Sequence, residues 1–285
     1  MGVENYHAER TRYVTLAYGG SPAVYRQSLM LLVSLAAHAP DPREFIVATD
    51  RPECFVWFGT RVDIEYLDQN RLDEWKGPQP FSMRQKLELL CAVWPQSGSI
   101  VLLDADVLAR LPLDTFISEL HGGGMFMHKR EYILGRSRRA GNRRLWSTLR
   151  TLTSRIEVTP ADAMWNSGVI ALPASALALV KNALALYDEF ACAGLRHFAT
   201  EQLVESLVFS RAGTLHAAEP WFTHYWGNKD GYDAEIARRL SEAFIEGLSI
   251  KEAAERYRER PIHLPAEVRL TRTKKLKRWL AQAAE

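Results

Sequence analysis

Cysteine is scarce in this chain of 285 residues. Cys54, Cys91 and Cys192 lie far apart and form no CxxC pair, which argues against a disulfide framework and against a structural zinc site. Long apolar runs are also lacking, because the longest, at residues 29–37, is much shorter than the ~20 residues of a membrane span. The amino terminus is polar and mixed in charge, unlike a signal peptide. These absences predict a reduced, cytoplasmic protein.

A strong net charge is missing too. The 36 Lys and Arg residues against 34 Asp and Glu residues leave a formal charge of +2, so no whole-molecule field indicates a nucleic-acid partner. The chain shows no internal repeat and no low-complexity stretch. Its hydrophobic fraction of 47% is typical of a globular protein and too high for a disordered one. The length allows one large domain or two small ones.

Short apolar runs alternate with helical patterns in the first 120 residues. The runs predict strands at residues 13–17, 45–49, 62–67 and 100–103, and the helical patterns predict helices at 23–38 and 82–94. The second helix is predicted from a capping box of Ser82 and Gln85 and from an apolar stripe of Met83, Leu87, Leu90 and Trp94. The last strand lacks alternation, which predicts burial on both faces. This order favours an α/β fold with a mostly parallel sheet.

The pattern changes after residue 121. A strand is predicted at residues 124–128, a second apolar run at 169–172 and a weaker strand at 214–217, with helices at 174–193 and 201–210. Two more helices follow, and Ser249 with Glu252 is predicted to cap the second. Residues 129–155 contain nine Lys and Arg residues and one acid, Glu131.

Two aspartates, Asp104 and Asp106, directly follow the apolar strand predicted at residues 100–103. Residues i and i+2 of an extended chain point the same way, so both carboxylates can face one point. Ligands of open α/β sheets gather at the carboxyl ends of strands. Hard oxygen donors suit Mg²⁺ or Mn²⁺, which keep coordination positions free for substrate phosphates. Acids at strand ends also commonly face solvent, so the pair predicts either a divalent-metal site or a solvated strand end.

Three further patterns place polar groups beside apolar segments. Residues 165–169, Trp-Asn-Ser-Gly-Val, open into an apolar strand, and residues 200–202, Thr-Glu-Gln, begin an apolar helix. Residues 224–229 contain an imidazole, a glycine that permits close backbone approach and a cation. Taken singly, these patterns are more often a turn, a helix start and a packed histidine.

Together, the four patterns resemble in order and spacing those of GT-A-fold glycosyltransferases, specifically the family 8 retaining enzymes, which include glycogenin and bacterial lipopolysaccharide galactosyltransferases. The resemblance spans residues 13–229. It implies a GT-A (Rossmann-like) nucleotide-diphospho-sugar transferase fold with a mixed, mostly parallel sheet flanked by helices. It also implies a catalytic domain at 1–230, with a nucleotide-binding half near 13–120 and an acceptor half near 121–230. A helical carboxy-terminal extension with a basic tail would then occupy residues 231–285.

The resemblance also implies site residues and substrates. The metal ligands would be Asp104, Asp106 and His224; the donor would contact Lys86, Asp104, Asp50, Gly227 and Lys229; and the transferred sugar would contact the catalytic residues Asn166, Glu201 and Gln202. Mn²⁺ accepts a mixed carboxylate, imidazole and phosphate shell more readily than Mg²⁺, so the expected cofactor is Mn²⁺ (or Mg²⁺). The donor would be a UDP-sugar and the acceptor a glycan, lipid-linked or other hydroxyl compound. Transfer would retain the anomeric configuration, with Gln202 near the anomeric carbon.

Several positions depart from the family pattern. Lys229 comes one residue earlier than the usual lysine, and Glu201 stands where aspartate is usual. The first predicted strand lacks the polar residue often found at its end, so Asp50 is expected to contact the base. Where family members place a sugar-binding acid after the strand at 124, this chain has His128 and Lys129.

Two other classes remain open from the sequence. A nucleotidyltransferase that builds sugar nucleotides would need a basic, glycine-rich loop after the first strand, and residues 18–22 contain the glycines without an adjacent cation. A non-catalytic nucleotide- or glycan-binding protein of the same fold is the second alternative. Residues 129–155 predict either a solvated exposed segment or a mobile lid or acceptor platform for an anionic substrate such as a phosphorylated glycan or lipid. Residues 269–280 predict either an exposed helix end or peripheral contact with an anionic membrane at its inner face.

Overall fold

The computed structural model describes residues 10–39, 45–77, 83–152 and 154–268. In these ranges the chain forms nine strands and nine α-helices. The strands are β1 (Thr11–Ala17), β2 (Phe45–Thr49), β3 (Val62–Tyr66), β4 (Ser99–Leu103), β5 (Val107–Ala109), β6 (Met125–Ile133), β7 (Ala163–Pro173), β8 (Leu215–Ala217) and β9 (Phe222–His224). The helices are α1 (Pro22–His38), α2 (Gln69–Lys76), α3 (Arg84–Ala92), α4 (Asp114–His121), α5 (Ala140–Leu149), α6 (Leu177–Cys192), α7 (Thr200–Ala212), α8 (Lys229–Ile245) and α9 (Ile250–Glu259). Short 3₁₀ segments lie at Pro52–Arg61, Leu134–Arg136 and Ala174–Ala176.

A seven-stranded sheet with the order β3-β2-β1-β4-β7-β6-β8 organises the described part of the chain. The four strands β3, β2, β1 and β4 run parallel, and β7 runs antiparallel to both β4 and β6. The strands β5 and β9 form a separate antiparallel pair. The sheet is therefore mixed and mostly parallel, as the sequence predicts. Chain order reverses between β1 and β4, and this is where ligands bind in open α/β sheets.

The central strand β4 is buried on both faces, as its unbroken apolar run predicts. Val101 and Leu103 belong to one core, which the sheet shares with α1, α4, α8 and α9. Ile100 and Leu102 belong to a second core, shared with α2, α3, α5, α6 and α7. Alternate side chains of one strand thus fill both layers of a helix–sheet–helix sandwich. No helix of the described ranges is long and apolar enough to span a membrane.

The helix predicted at 82–94 is shorter than expected. Helix α3 covers only nine residues. Ser82 lies outside the described residues, and the side chain of Gln85 is engaged elsewhere, because it accepts from the Tyr18 hydroxyl and donates to the Leu72 carbonyl at 2.6 Å. Met83 is exposed, so it does not extend the apolar stripe. The apolar stripe is therefore wrong at Met83, and the capping box stays a prediction because Ser82 is not described.

The carboxy-terminal helices pack on the same core as α1. Tyr257 of α9 donates its hydroxyl to the Ala109 carbonyl at 3.0 Å, and Arg258 donates to the Ala37 carbonyl at 2.6 Å. The capping box of Ser249 and Glu252 forms as predicted. The domain division near residue 230 stays a prediction, and the basic tail at 269–280 lies outside the described residues.

A candidate metal and nucleotide site

Backbone pairing brings the two aspartates and the histidine together. The Asp104 amide donates to the Gly168 carbonyl at 2.9 Å, which joins the end of β4 to β7. One residue after Asp106, β5 pairs with β9 so that Val107 lies opposite His224. The Tyr225 amide then donates to the Asp106 carbonyl at 3.0 Å. The pairing of β5 with β9 therefore places His224 beside the carboxyl end of the central strand β4.

Asp104, Asp106 and His224 form a cluster suited to one cation. One ligand atom from each residue lies within 4.8 Å of the others, and within the described ranges no second group of three or more acidic, histidine or cysteine ligands occurs. The His224 Nε2 atom lies 3.2 Å from Asp106 Oδ1 and 3.9 Å from Asp104 Oδ2. Two carboxylates and an imidazole suit a divalent cation and leave coordination positions free for a further ligand.

Asn166 fixes the orientation of the histidine ring. Its Oδ1 accepts from the Gly168 amide at 3.0 Å and lies 2.8 Å from His224 Nδ1. The backbone amide can only donate, so this atom must be the carbonyl oxygen, and Nδ1 must carry the proton. The other ring nitrogen, Nε2, therefore faces the two aspartates. A metal-binding histidine commonly has its other ring nitrogen held in this way.

Gly168 provides the space that His224 occupies. A Cβ atom on this glycine would lie 2.2 Å from His224 Nδ1 and 2.5 Å from Cε1. Residues 166–168 were expected to open into a strand, whereas they lie inside β7, antiparallel to β4. Strand β7 thus supplies the Asn166 side chain that holds the histidine ring and, at Gly168, a position without a side chain where the ring fits.

Two lysines neutralise the two aspartates. Lys229 Nζ lies 2.9 Å from Asp106 Oδ2, and Lys86 Nζ lies 2.6 Å from Asp104 Oδ1. Burial raises the pKa of Asp106, but the hydrogen bonds and charges of His224 and Lys229 outweigh it and hold that pKa well below its usual value. Burial lowers the pKa of Lys86, but the surrounding carboxylates outweigh it and raise the pKa above the ordinary lysine value. Both groups are therefore ionised at neutral pH.

Behind Lys86 lies a buried pair of glutamates on α7. Lys86 Nζ is 3.3 Å from Glu201 Oε1, and Ser167 donates its hydroxyl to Glu201 Oε2 at 3.0 Å. Glu205 follows one helical turn later and is fully buried. Burial, followed by the charge of Glu201, raises the pKa of Glu205 well above its usual value. Burial therefore favours the neutral form of Glu205, and Lys86 is the cation that contacts both Asp104 and Glu201.

Glu131 is a site residue that the sequence reasoning missed. Its Oε1 accepts from the Asn166 amide at 3.2 Å, and its Oε2 accepts from the Gln202 amide at 3.0 Å. It therefore joins β6, β7 and α7 beside the metal cluster. Of the two residues that the sequence places near this position, Lys129 pairs with Glu219 and Glu267, and the buried His128 packs its ring edge-to-face against His224, with ring centroids 5.4 Å apart. The available signal was that Glu131 is the one acid in the basic stretch 129–155.

Asp50 and Gly227 make contacts that the sequence did not specify. Asp50, directly after β2, accepts from the Tyr25 hydroxyl at 2.6 Å and from the Gly19 amide at 3.2 Å, at the carboxyl ends of β1 and β2. Gly227 pairs with Glu267, and a Cβ atom on it would lie 2.7 Å from Glu267 Cγ. The group that approaches Gly227 closely is thus Glu267 of the same chain. The donor-contact roles of both residues stay predictions.

No family model matches this chain, and no curated protein matches it. Among solved structures, the apo structure of the bifunctional glycosyltransferase WbbM has a TM-score of 0.51 at 12% identity, over 74% of this chain and 39% of WbbM. The chain thus spans well under half the length of WbbM. The apo form of mouse xyloside xylosyltransferase 1 has a TM-score of 0.46 at 12% identity, over 73% and 85% of the two chains, too low to bear on the fold. The fold is the GT-A fold expected from the sequence.

Proposed function

We propose that this chain is a metal-dependent glycosyltransferase that moves a sugar from a UDP-sugar to a hydroxyl group of a glycan, lipid-linked or other acceptor, with retention. The observation that carries the proposal is the meeting of Asp104, Asp106 and His224 with Lys86 and Lys229 at the carboxyl end of β4. Supporting it are the GT-A fold and the glycosyltransferase WbbM as a structural neighbour. Assignment to family 8 is part of the proposal and rests on the sequence motifs.

The cluster fits the departure of a nucleoside diphosphate. A divalent ion held by Asp104, Asp106 and His224 would stabilise the negative charge that develops on the diphosphate. The Lys229 ammonium adds positive charge at the rim of the site, where its side chain is 46% exposed. Lys86 keeps the Asp104 carboxylate oriented through the 2.6 Å ion pair. Because these charges are in place before substrate binds, little reorganisation is needed during transfer.

On the sugar side, Glu131, Asn166 and Gln202 form a hydrogen-bonded group whose amides and carboxylate suit sugar hydroxyls. We infer front-side transfer from the family resemblance, with Gln202 near the anomeric carbon. The bond from that carbon to the diphosphate oxygen breaks, a bond to the acceptor oxygen forms, and the acceptor proton passes to the diphosphate. Glu201 lies behind this group and is held by Lys86.

Thermal unfolding with a panel of nucleotides, with and without Mn²⁺, tests the proposal. A ligand at 100 times its dissociation constant stabilises a protein by ~2.7 kcal/mol. We expect UDP to stabilise the chain only with Mn²⁺, and Asp106→Asn and His224→Gln to abolish the effect. The exposed residue Asp63 supplies a matched control, because Asp63→Asn removes the same charge on β3 and should respond like the wild type.

The other outcomes separate the alternatives. Stabilisation by nucleoside triphosphates alone would support a nucleotidyltransferase and contradict the proposal. Metal-dependent UDP binding without sugar transfer or hydrolysis from any UDP-sugar would support a non-catalytic binding protein. No response to any nucleotide would show that the cluster is not a nucleotide site. Where transfer occurs, nuclear magnetic resonance of the product's anomeric proton reports retention or inversion.

A further inference from the structure

A run of arginines without acidic residues follows β6. Between Glu131 and Glu157 the chain has seven arginines and no aspartate or glutamate. Arg143 and Trp146 lie three residues apart on one side of α5, and Arg139 and Arg150 are the residues that flank this helix at its amino and carboxy ends. Leu145 and Leu149 are buried on a different side of the same helix, toward the sheet. We call the surface formed by Arg139, Arg143, Trp146 and Arg150 the arginine face.

The charges of the arginine face are not explained by helix stability. Its three arginines are exposed, and none of them forms an ion pair with an acid in the described part of the chain. The Arg150 guanidinium lies 5.9 Å from the centre of the Trp146 ring, a cation–π contact that leaves its charge unneutralised. Arg139 is the residue that precedes α5, and a positive charge at the amino end of a helix is unfavourable to the helix dipole. Such a cluster is therefore better explained by an anionic ligand.

The arginine face begins close to the sugar side of the candidate site. Glu131 accepts hydrogen bonds from Asn166 and Gln202. The charges of Glu131 and Arg139 both act on the hydroxyl of the neighbouring residue Tyr132. Burial raises the pKa of the Tyr132 hydroxyl to about 12; the charge of Glu131 adds to this rise and the charge of Arg139 opposes it. The connection is short in the chain as well, because Glu131 lies near the end of β6 and only the 3₁₀ segment Leu134–Arg136 and three further residues separate that strand from α5.

We propose that the arginine face binds the phosphate groups of the acceptor substrate while the acceptor hydroxyl lies beside Glu131 and Gln202. The inference rests on the proposed glycosyl transfer and adds a substrate class, a phosphate-bearing saccharide or lipid headgroup. Guanidinium groups match phosphate oxygens in a two-pronged geometry. The whole chain carries a net charge of only +2, whereas the stretch between Glu131 and Glu157 has seven arginines and no acid. Positive charge concentrated in one short stretch suits a ligand with a few phosphates better than a long nucleic acid.

The test measures phosphate binding without metal. The soluble probe is inositol hexakisphosphate, followed by calorimetry at low salt. The lipid probe is a phosphatidylcholine vesicle with or without phosphatidylglycerol, followed by co-sedimentation. The variant R139Q/R143Q/R150Q removes the three positive charges of the arginine face. The control variant R61Q/K181Q/R260Q removes three exposed positive charges elsewhere. We expect roughly 100-fold weaker binding for the first variant and wild-type binding for the second, since each basic residue at an anionic surface contributes about fivefold.

Each outcome decides the inference. Loss confined to the arginine-face variant supports it, and the probe that responds identifies a soluble or a lipid-borne phosphate. Equal binding by all three proteins, or none by the wild type, overturns it. Tighter binding of a short single-stranded RNA than of either phosphate probe also overturns it.

Two controls separate folding and donor binding from this result. The single variant Arg143→Gln, expected to bind about fivefold more weakly, covers the case in which the triple variant unfolds. Stabilisation by UDP with Mn²⁺ is measured on the same proteins. If the wild type is stabilised by UDP but does not bind the phosphate probes, only the acceptor inference is overturned. If the wild type is not stabilised by UDP, the proposed function is overturned.

Discussion

Replacing Gly168 with alanine should disable the metal site without removing any of its ligands. The new Cβ would lie 2.2 Å from His224 Nδ1, whereas ordinary contacts begin near 3.4 Å, so the ring must move by about 1 Å. The 2.8 Å hydrogen bond to Asn166 and the 3.2 Å approach to Asp106 cannot both survive that shift. Overpacking of this kind costs about 1–3 kcal/mol of stability. Loss of the group that orients a metal-binding histidine lowers metal affinity by about 10–100-fold.

Urea unfolding gives the stability change, and Mn²⁺ titration in the presence of UDP gives the affinity change. Gly141→Ala is the matched control, because Gly141 is exposed on α5 and a Cβ atom there meets nothing within 4 Å. That change should stabilise the chain slightly, since alanine is the better helix residue by about 1 kcal/mol, and should leave metal binding unaltered. Wild-type Mn²⁺ affinity in Gly168→Ala would refute the reasoning.

Three further changes test separate parts of the site. Asn166→Ala removes the acceptor for His224 Nδ1, so Mn²⁺ affinity measured by titration should fall about 10–100-fold, and an unchanged affinity would contradict the assigned tautomer. Lys86→Met leaves Glu201 buried without its cation, so urea unfolding should show a loss of about 3–5 kcal/mol, and a loss below about 1 kcal/mol would contradict the role of the ion pair. Burial raises the pKa of Glu205 in the folded chain above its ordinary value of about 4.3, so wild-type stability should fall as pH rises from 5 toward the raised folded pKa, by up to about 1.4 kcal/mol per pH unit. Glu205→Gln should flatten that slope in unfolding curves at pH 5 and 8, and an unchanged slope would contradict a raised pKa.

Much of the sheet could be predicted from local sequence. Strands β2 and β4 are compact apolar runs, and the predicted and observed bounds agree to within one residue. Strand β5 could not be predicted, because its three residues, Val107–Ala109, are stabilised by pairing with β9 more than 100 residues later. The capping box of Ser249 and Glu252 at the start of α9 could be predicted because it is a local interaction.

The candidate site likewise contains some residues that local sequence predicts and others that it does not. Asp104 and Asp106 follow a strand whose burial is visible in the sequence, so their placement at its carboxyl end is predictable. Glu131 was missed because its partners lie on two other elements, and an exposed acid in a basic stretch has no local pattern. Glu205 was missed because α7 is buried on nearly all sides between the sheet and α6, so charged positions on it do not mark a solvent face.

Electron paramagnetic resonance of free Mn²⁺ tests the central claim most directly, because the signal of the free ion decreases as the protein binds it. With UDP present, we predict one Mn²⁺ bound per chain by the wild type and by Asp63→Asn, and none by Asp106→Asn at the same concentrations. Equal Mn²⁺ binding by wild type and Asp106→Asn, or no binding by the wild type, would contradict a metal site formed by Asp104, Asp106 and His224.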